Sequence, residues 1–299
     1  GRRGNQGSER MRIAVTGGSG LVGRVIVRRL AKRHDVVNVD ISGPGPPGVG
    51  HSPGEPAPSV QYAHADILDL TALSRAIDGA QAVVHAAAIP GPTFGSEDDI
   101  LNVNVEGTKN VVLAANEAGA RRFVFISSDS VLGFVFSEGR VRPSYLPVDE
   151  AHPLAPTEAY GRSKLMAETV LARQAGRTAT VVSLRPPWVW VPEEYEKLRR
   201  LTRAPAEWSE GLWAYVHGDD LARAVERAVT LEIGPGFHAA YVVAPDNGTV
   251  VPTARLIEDY FPDVPVRQDL PEFGSLVSSN RLENLLGFKP TMSWREFLR

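Results

Sequence analysis

The stretch from Arg12 to Leu30 reads RIAVTGGSGLVGRVIVRRL and decides the fold. Up to Thr16 it is rich in apolar and β-branched residues, a composition that predicts a short buried strand. A run of glycines ends this strand, and apolar residues then recur at helical spacing as far as Leu30. A strand, a glycine turn and a helix in this order predict the opening of a βαβ unit.

Three glycines at this turn, Gly17, Gly20 and Gly23, have the spacing of a phosphate-binding loop. Glycine lets the chain approach a ligand closely, and the first amides of a helix are free to bind phosphate, although a tight turn without a ligand also needs glycine. The next predicted strand ends at Asp40, near the position of an acid that binds the adenosine ribose. A carboxylate accepts hydrogen bonds from both ribose hydroxyls and repels a 2′-phosphate, so the sequence predicts NAD rather than NADP as the cofactor.

Strands and helices alternate along the rest of the chain. Strands are predicted at 36–40, 82–85, 122–126, 180–184 and 240–243, and helices at 102–118, 158–172, 221–230 and 253–260. This alternation predicts an α/β fold, a doubly wound parallel (Rossmann) sheet with a small C-terminal substrate-binding lobe. We assign 11–184 and 212–246 to the NAD-binding domain, 185–211 and 247–299 to the substrate-side lobe, 1–10 to a disordered tail or expression remnant, and the Gly/Pro-rich 42–58 to a surface loop of unassigned role.

Composition excludes several classes of protein. The 299 residues are 43% hydrophobic and carry a net charge of -3, which gives no basic surface for nucleic acid or an anionic membrane. No apolar run has the length of a membrane span, and the N-terminal segment lacks the apolar stretch of a signal peptide, so we expect a cytoplasmic protein. Cysteine is absent, which excludes disulfides and thiolate chemistry, and the histidines are scattered without metal-ligand spacing, so no metal site is expected.

Tyr160 and Lys164 are four residues apart in a predicted helix and therefore share one face of it. A tyrosine has an ordinary pKa of about 10 and is a poor base at neutral pH, but a nearby cation favours the phenolate. Ser127 and Ser128 follow the predicted strand at 122–126, at the sheet edge where open α/β folds bind ligands. We therefore predict that Ser128 holds the substrate oxygen that exchanges a proton with Tyr160.

Together these residues resemble the extended short-chain dehydrogenases/reductases, the group that contains NAD-dependent sugar epimerases and dehydratases. The matching segments occur in order along nearly the whole chain: TGGSGLVG at 16–23, Asp40, Asp66-Ile67, HAAA at 85–88, NVEGT at 104–108, SSDSV at 127–131, Tyr160, Lys164, LRPP at 184–187 and YVHGDD at 215–220. The resemblance implies an NAD-dependent enzyme that acts on a small molecule. It also implies a homodimer formed through the helices near 104–118 and 158–172.

The resemblance assigns a role to each matching residue. Tyr160 would be the general acid/base, Lys164 would lower the pKa of Tyr160 and hold the nicotinamide ribose, and Ser128 would orient the substrate hydroxyl or carbonyl. The implied cofactor-binding residues are Gly17, Gly20, Leu21, Val22, Gly23, Asp40, Asp66, Ile67, Ala86, Ala87, Ala88, Asn104, Tyr160, Lys164 and Pro187.

Three departures from the sugar-nucleotide enzymes bear on the substrate. Those epimerases carry a diphosphate-binding arginine where this chain has Trp213, whose indole is a neutral single donor. Only about 30 residues separate Arg185 from Tyr215, which predicts a smaller pocket. The 4,6-dehydratases carry an Asp-Glu pair where this chain has Asp129-Ser130, which argues against a dehydratase.

These departures favour hydride transfer between NAD and a carbinol or carbonyl carbon of a small substrate, such as a sugar or a sugar acid; uronate dehydrogenases share the short segment. The candidate substrate contacts are Pro90, Phe94, Asp129, Ser130, Trp188, Arg199 and Trp213. Two alternatives stay open: an epimerase that oxidises its substrate transiently with the same triad, and a regulatory protein that senses a dinucleotide.

Overall fold

The computed structural model describes residues 10–43, 60–137, 141–175 and 179–298, so most of the predicted tail and of the predicted loop at 42–58 lies outside the described residues. The strands are β1 (Arg12–Thr16), β2 (Asp35–Asp40), β3 (Val60–His64), β4 (Ala82–His85), β5 (Arg122–Ile126), β6 (Thr180–Arg185), β7 (Trp188–Trp190), β8 (Tyr215–His217) and β9 (Phe237–Tyr241). The helices are α1 (Leu21–Leu30), α2 (Leu70–Ile77), α3 (Glu97–Leu101), α4 (Gly107–Glu117), α5 (Ala159–Gln174), α6 (Tyr195–Leu201), α7 (Gly218–Thr230), α8 (Thr253–Tyr260), α9 (Asn280–Leu286) and α10 (Trp294–Phe297). Within the described ranges, none of the helices has the length and hydrophobicity needed to span a bilayer.

Seven strands form one parallel sheet in the order β3-β2-β1-β4-β5-β6-β9. β1 pairs with β2 on one side and with β4 on the other, so the strand order reverses between β1 and β4. At such a switch point the carboxyl ends of the strands open a crevice in which ligands bind. This topology confirms the predicted doubly wound α/β fold.

Helices cover both faces of this sheet. On one face α1, α7 and α9 bury apolar side chains such as Ile26, Val225 and Leu282, and on the other α2, α4 and α5 bury side chains such as Leu73 and Leu171. Each side chain of this kind stabilises the fold by about 1.5–3 kcal/mol when fully buried. Because both faces are covered, the strands are rigid supports for the residues that follow their carboxyl ends.

A second core joins four separate parts of the chain. Its side chains come from Leu132, Phe134, Leu146 and Val148, from 212–214, from Tyr241 and Val243, and from five residues between 256 and 277. Leu146 and Val148 form isolated bridges to Val266 and Val277 in the C-terminal region. These residues after β5, which the sequence assigned to the NAD-binding domain, therefore pack with the substrate-side lobe.

Several element boundaries differ from the sequence predictions. The predicted helix at 102–118 begins earlier, because Ser96 and Asp99 form a capping box at the start of α3, and a π-helical segment (Asn102–Glu106) then leads into α4. The predicted strand at 240–243 is β9, which starts at Phe237. Not predicted were β3, α2, the parallel pair β7–β8 and the short helices α6, α9 and α10; β3 is an edge strand without buried residues and has little apolar periodicity.

Candidate active site

The glycine turn follows β1 and is packed too tightly for side chains. Gly17 has a φ of +71°, and a Cβ there would collide with the backbone of Ala86 and Ala87 after β4. A Cβ on Gly23 would collide with the carbonyl oxygen of Gly17. These contacts bring the start of α1 close to the end of β4, at the switch point of the sheet.

Asp40 lies beside the glycine turn at the end of β2. Its carboxylate accepts hydrogen bonds from the backbone amides of Ser19 (3.0 Å) and Ser42 (2.8 Å), which fixes its orientation. Arg24, the residue directly after the last glycine of the turn, is paired with Glu193 at 2.9 Å. The turn therefore presents a carboxylate and an engaged arginine, an arrangement suited to a ribose with free hydroxyls.

The residues expected at the adenine edge follow β3. The Asp66 carboxylate accepts a hydrogen bond from the Leu68 amide at 2.9 Å, and the carbonyl of Ile67 accepts one from Asn110 at 3.0 Å. The Ile67 side chain lies directly against Gly107, so close that a Cβ at position 107 would collide with it. This loop is therefore anchored to the first turn of α4.

Asn104 connects the loop after β4 to the helix that carries Tyr160. Its amide exchanges two hydrogen bonds with the backbone of Ile89, at 2.8 and 3.1 Å, and donates a third to the Ser163 hydroxyl at 2.9 Å. The side chain is almost completely buried, so these bonds are worth about 1 kcal/mol each and are costly to leave unmade. Asn104, which the resemblance lists among the cofactor-binding residues, therefore braces α5 against the loop after β4.

Glu158 sets the start of α5. Its carboxylate accepts hydrogen bonds from the amides of Tyr160 and Gly161 and so caps the helix. The Tyr160 ring lies in the first turn of this helix and meets Phe136, in the segment after β5, edge to face with the centroids 6.3 Å apart. Neither Glu158 nor Phe136 was among the predicted site residues; the carboxylate directly before a helix was the available signal for the cap.

Burial dominates the protonation of Tyr160 and Lys164. Burial raises the pKa of the Tyr160 phenol, the Ser128 hydroxyl opposes this by hydrogen bonding, and the negative charges of Asp129 and Glu158 raise the pKa further. Burial lowers the pKa of Lys164 to about 8, against the influence of Glu168. The pKa of Tyr160 is thus raised in this structure, mainly by burial, whereas the sequence predicted that Lys164 would lower it.

Lys164 reaches across from α5 to the neighbouring strand. Its Nζ donates a hydrogen bond to the carbonyl of Ile126, the last residue of β5, at 2.9 Å. The same Nζ is 4.9 Å from the ring centroid of Phe125 and 5.7 Å from that of Tyr160. The cation is thus held between the sheet and the tyrosine. The carbonyl that accepts its hydrogen bond lies two residues before Ser128 in the chain.

Ser128 and Asp129 lie directly after β5. The Ser128 Oγ accepts a hydrogen bond from the Ser130 amide at 3.1 Å and donates to the Asp129 carboxylate at 3.3 Å. Burial raises the pKa of Asp129 to about 7, while the Ser128 hydroxyl favours the ionised form. The structure thus brings Ser128, Tyr160 and Lys164 together and adds a carboxyl group beside the serine.

The remaining substrate candidates do not converge in the same way. Trp213 is fully buried in the second core, where its indole donates to the Pro205 carbonyl at 2.8 Å, so it is a core residue rather than a wall of the pocket. Ser130 is also fully buried. Arg199 is engaged by Glu196 and by the carbonyl of Leu298.

Trp188 belongs to an aromatic cluster, and the loop after β4 is open. Trp188 meets Trp190 and Trp208 edge to face and carries the Lys197 ammonium 4.7 Å above its ring. Pro90 and Phe94 are exposed, and Phe94 shows 70% of its surface. Near this loop a cavity of about 620 Å³ is lined by Pro92, Glu97, Ile100, Phe136, Thr157, Glu158 and Ala159.

Two further features complete the surroundings. Glu168, one turn after Lys164, holds Arg185 with two hydrogen bonds of 3.0 and 2.7 Å, and both residues are almost fully buried. In the described ranges no group of three or more His, Asp or Glu side chains is arranged to bind a metal ion. The chemistry that the site offers is therefore proton transfer by a phenol, supported by a serine, a lysine and carboxyl groups.

Comparison with known proteins places these features in context. A model of the NAD dependent epimerase/dehydratase family matches residues 13–243. The L-arabinose 1-dehydrogenase (NAD(P)(+)) of Haloferax volcanii is 33% identical over 224 residues, which cover 73% of this chain and 82% of that enzyme. The 2-alkyl-3-oxoalkanoate reductase of Stenotrophomonas maltophilia is 33% identical over 195 residues, 64% of this chain and 54% of the reductase.

Solved structures show the same architecture. A short-chain dehydrogenase/reductase superfamily protein from Agrobacterium tumefaciens, crystallised with bound NAD, superposes with a TM-score of 0.71 at 26% identity, covering 96% of this chain and 94% of that one. A UDP-galactose 4-epimerase superposes with a TM-score of 0.69 at 25% identity, covering 96% of each chain.

Proposed function

The chain belongs to the NAD dependent epimerase/dehydratase family, and from this we propose that it is a dehydrogenase that oxidises a hydroxyl group of a small sugar or related polyol. Membership confirms the resemblance to extended short-chain dehydrogenases/reductases, the enzyme class and NAD as cofactor. The specific substrate and the work of the triad are our proposal.

One observation carries the proposal: Ser128, Tyr160 and Lys164 meet at the carboxyl edge of the sheet. The Ser128 hydroxyl acts to lower the pKa of the phenol, and the Lys164 Nζ, which donates to the carbonyl of Ile126, is 5.7 Å from the Tyr160 ring centroid. The glycine turn and Asp40 follow strands of the same sheet at the same edge. A phenol, a supporting hydroxyl and a cofactor loop on one edge fit oxidation of a carbinol.

The geometry suggests a division of labour among the side chains. Bound NAD supplies a hydride acceptor, with Asp40, the glycine turn, Lys164 and the other predicted cofactor contacts as the residues that would hold it. Ser128 holds the substrate hydroxyl by hydrogen bonding. Tyr160, as phenolate, takes the hydroxyl proton while the carbon loses its hydrogen, and the substrate becomes a carbonyl compound. Lys164 supplies positive charge that favours the phenolate.

Epimerisation is the second candidate, and the likeness to UDP-galactose 4-epimerase favours it. The same three residues would serve both reactions, because an epimerase oxidises its substrate and then reduces it again. Trp213 is buried and does not line the site. It bears on this choice only because it provides no cation where the sugar-nucleotide enzymes have one. The relative from H. volcanii is named as a dehydrogenase of a small sugar, L-arabinose, and this supports the dehydrogenase for the present chain.

A substrate screen tests the proposal. Neutral aldoses, alditols, hexuronic acids and UDP-sugars are each incubated with NAD, and NADH absorbance and product configuration are followed. We expect stoichiometric NADH with a sugar, and a loss of at least about 100-fold in kcat/KM for Tyr160→Phe. Tyr260→Phe, a matched variant outside the site, should keep wild-type activity. Inverted product with only catalytic NAD would establish the epimerase, and full activity of Tyr160→Phe would overturn both candidates.

We also propose a cytoplasmic homodimer that uses α4 and α5. Each of these helices exposes a large apolar side chain, Leu113 with 43% and Met166 with 47% of its surface accessible. Exposed apolar residues on adjacent helices favour burial against a second copy. Cell fractionation tests the compartment.

A further inference from the structure

We propose that Asp129 binds the hydroxyl group next to the reacting carbon, and that the site therefore selects a neutral vicinal diol over a sugar acid. This inference rests on the proposed dehydrogenase function and names the substrate class of that site. The sequence offered Asp129 only as one of several candidate contacts.

The fold leaves Asp129 accessible among buried neighbours. Ser127 and Ser130, on either side in the chain, are 3% and 0% exposed, whereas Asp129 is only partly buried. Its own amide donates to the carbonyl of Pro186 at 3.0 Å, which fixes the backbone against the end of β6. A rigid backbone with a partly open side chain is a suitable support for a ligand contact.

The spacing of two oxygen atoms suggests what the carboxylate binds. The Ser128 Oγ donates to the Asp129 Oδ1 at 3.3 Å, a long hydrogen bond that places the two oxygens side by side. The two oxygens of a vicinal diol have a similar separation. When Ser128 and Tyr160 hold the reacting oxygen, the neighbouring hydroxyl faces Asp129, and an ionised carboxylate can only accept its hydrogen bond.

The charges around the phenol select against an anionic substrate. Asp129 and Glu158 both act on Tyr160 as negative charges. On the adjoining elements, Arg185 is neutralised by Glu168, whereas Lys164 donates only to the neutral carbonyl of Ile126 and keeps its positive charge. The two carboxylates that act on the phenol outnumber this one cation, so a substrate carboxylate would enter a site with a net negative charge. Burial that raises the pKa of Asp129 to about 7 agrees with a carboxyl group that lacks a cationic partner.

A cycle of enzyme and substrate variants tests the inference. D-Galactose and L-arabinose are the first probes, and each is compared with its 2-deoxy analogue. D-Galacturonate is the sugar acid matched to galactose. The best sugar of the screen and its deoxy analogue are measured in the same way. Wild type should prefer the parent sugar over the deoxy analogue by about 10- to 100-fold in kcat/KM, as expected for a hydrogen bond to a charged group. In Asp129→Asn and Asp129→Ser this preference should fall to about threefold or less. Galacturonate should be at least about 10-fold poorer than galactose in wild type, and the gap should narrow in both variants.

Controls separate the possible failures. Asp263→Asn, a matched change at an exposed carboxylate paired with Arg142, should keep the wild-type preference. Urea unfolding at pH 8 should show Asp129→Asn at least as stable as wild type, because the raised pKa of Asp129 means that its ionised form is disfavoured in the folded protein, and the amide removes that charge. If no sugar reduces NAD, the proposed dehydrogenase and this inference both fall. If a sugar is oxidised but its deoxy preference is unchanged in the Asp129 variants, or if galacturonate is the better substrate, only this inference is overturned.

Discussion

The Tyr160 phenol is held in surroundings that disfavour its ionised form. Burial raises its pKa, two carboxylates raise the pKa further, and the Ser128 hydroxyl alone among its described neighbours opposes them. A general base in this position requires a positive charge close by. Lys164 lies near enough to the ring to supply this charge, and its own lowered pKa, about 8, leaves it mostly protonated at neutral pH.

Removal of the lysine charge should therefore move the pH dependence of oxidation. In wild type, kcat/KM should rise with pH as Tyr160 loses its proton. Lys164→Met raises the pKa of the phenol, so this rise should move to higher pH and activity at pH 7 should fall by about 100-fold or more. Profiles from pH 6 to 10 measure the shift. Lys289→Met, at an exposed lysine paired with Glu283, is the control, and an unshifted profile in Lys164→Met would refute the role.

At the scale of elements, a buried ion pair fastens the catalytic helix to the sheet. Glu168 of α5 accepts two hydrogen bonds from Arg185 at the end of β6 and a third from Ser183 at 2.8 Å. Both charged groups are almost fully buried, so the loss of one partner leaves the other without compensation. The pair also lies one helical turn beyond Lys164, and Glu168 favours the charged lysine.

Single and double substitutions should distinguish the stability that depends on the ion pair from the contribution of each residue alone. Glu168→Leu alone should lower the free energy of unfolding by about 3–5 kcal/mol, because it leaves Arg185 buried and unpaired. Glu168→Leu combined with Arg185→Met should cost clearly less than the sum of the two single changes. Urea denaturation of the four proteins gives the coupling energy. As a control, Glu196→Leu, at the exposed ion pair with Arg199, should change the free energy of unfolding by about 1 kcal/mol or less. Additive effects of the substitutions at 168 and 185 would show that the two residues do not stabilise the fold as a pair.

At the scale of the whole molecule, the sequence predicts features that depend on local spacing and on the order of the strands. The glycine turn follows β1, Asp40 ends β2 and Ser128 follows β5, and their common edge could be predicted because parallel strands end on the same side of a sheet. The position of Trp213 could not be predicted, since it depends on packing with Tyr260 and Phe261, far along the chain. The contact of Phe136 with Tyr160 escaped prediction for the same reason: it requires the segment after β5 to be fastened to the C-terminal lobe.

The proposed dimer is a consequence of where this molecule leaves apolar surface. Leu113 on α4 and Met166 on α5 are large side chains that the monomer does not bury. Charged residues at the centre of an interface carry a desolvation cost, so Leu113→Glu together with Met166→Glu should convert a dimer to a monomer while the fold is kept. Light scattering coupled to gel filtration measures the mass, and Val250→Glu, at another exposed apolar residue outside these helices, should remain dimeric. A wild-type chain that stays monomeric at high concentration, or a double variant that still dimerises, would show that α4 and α5 are not the interface.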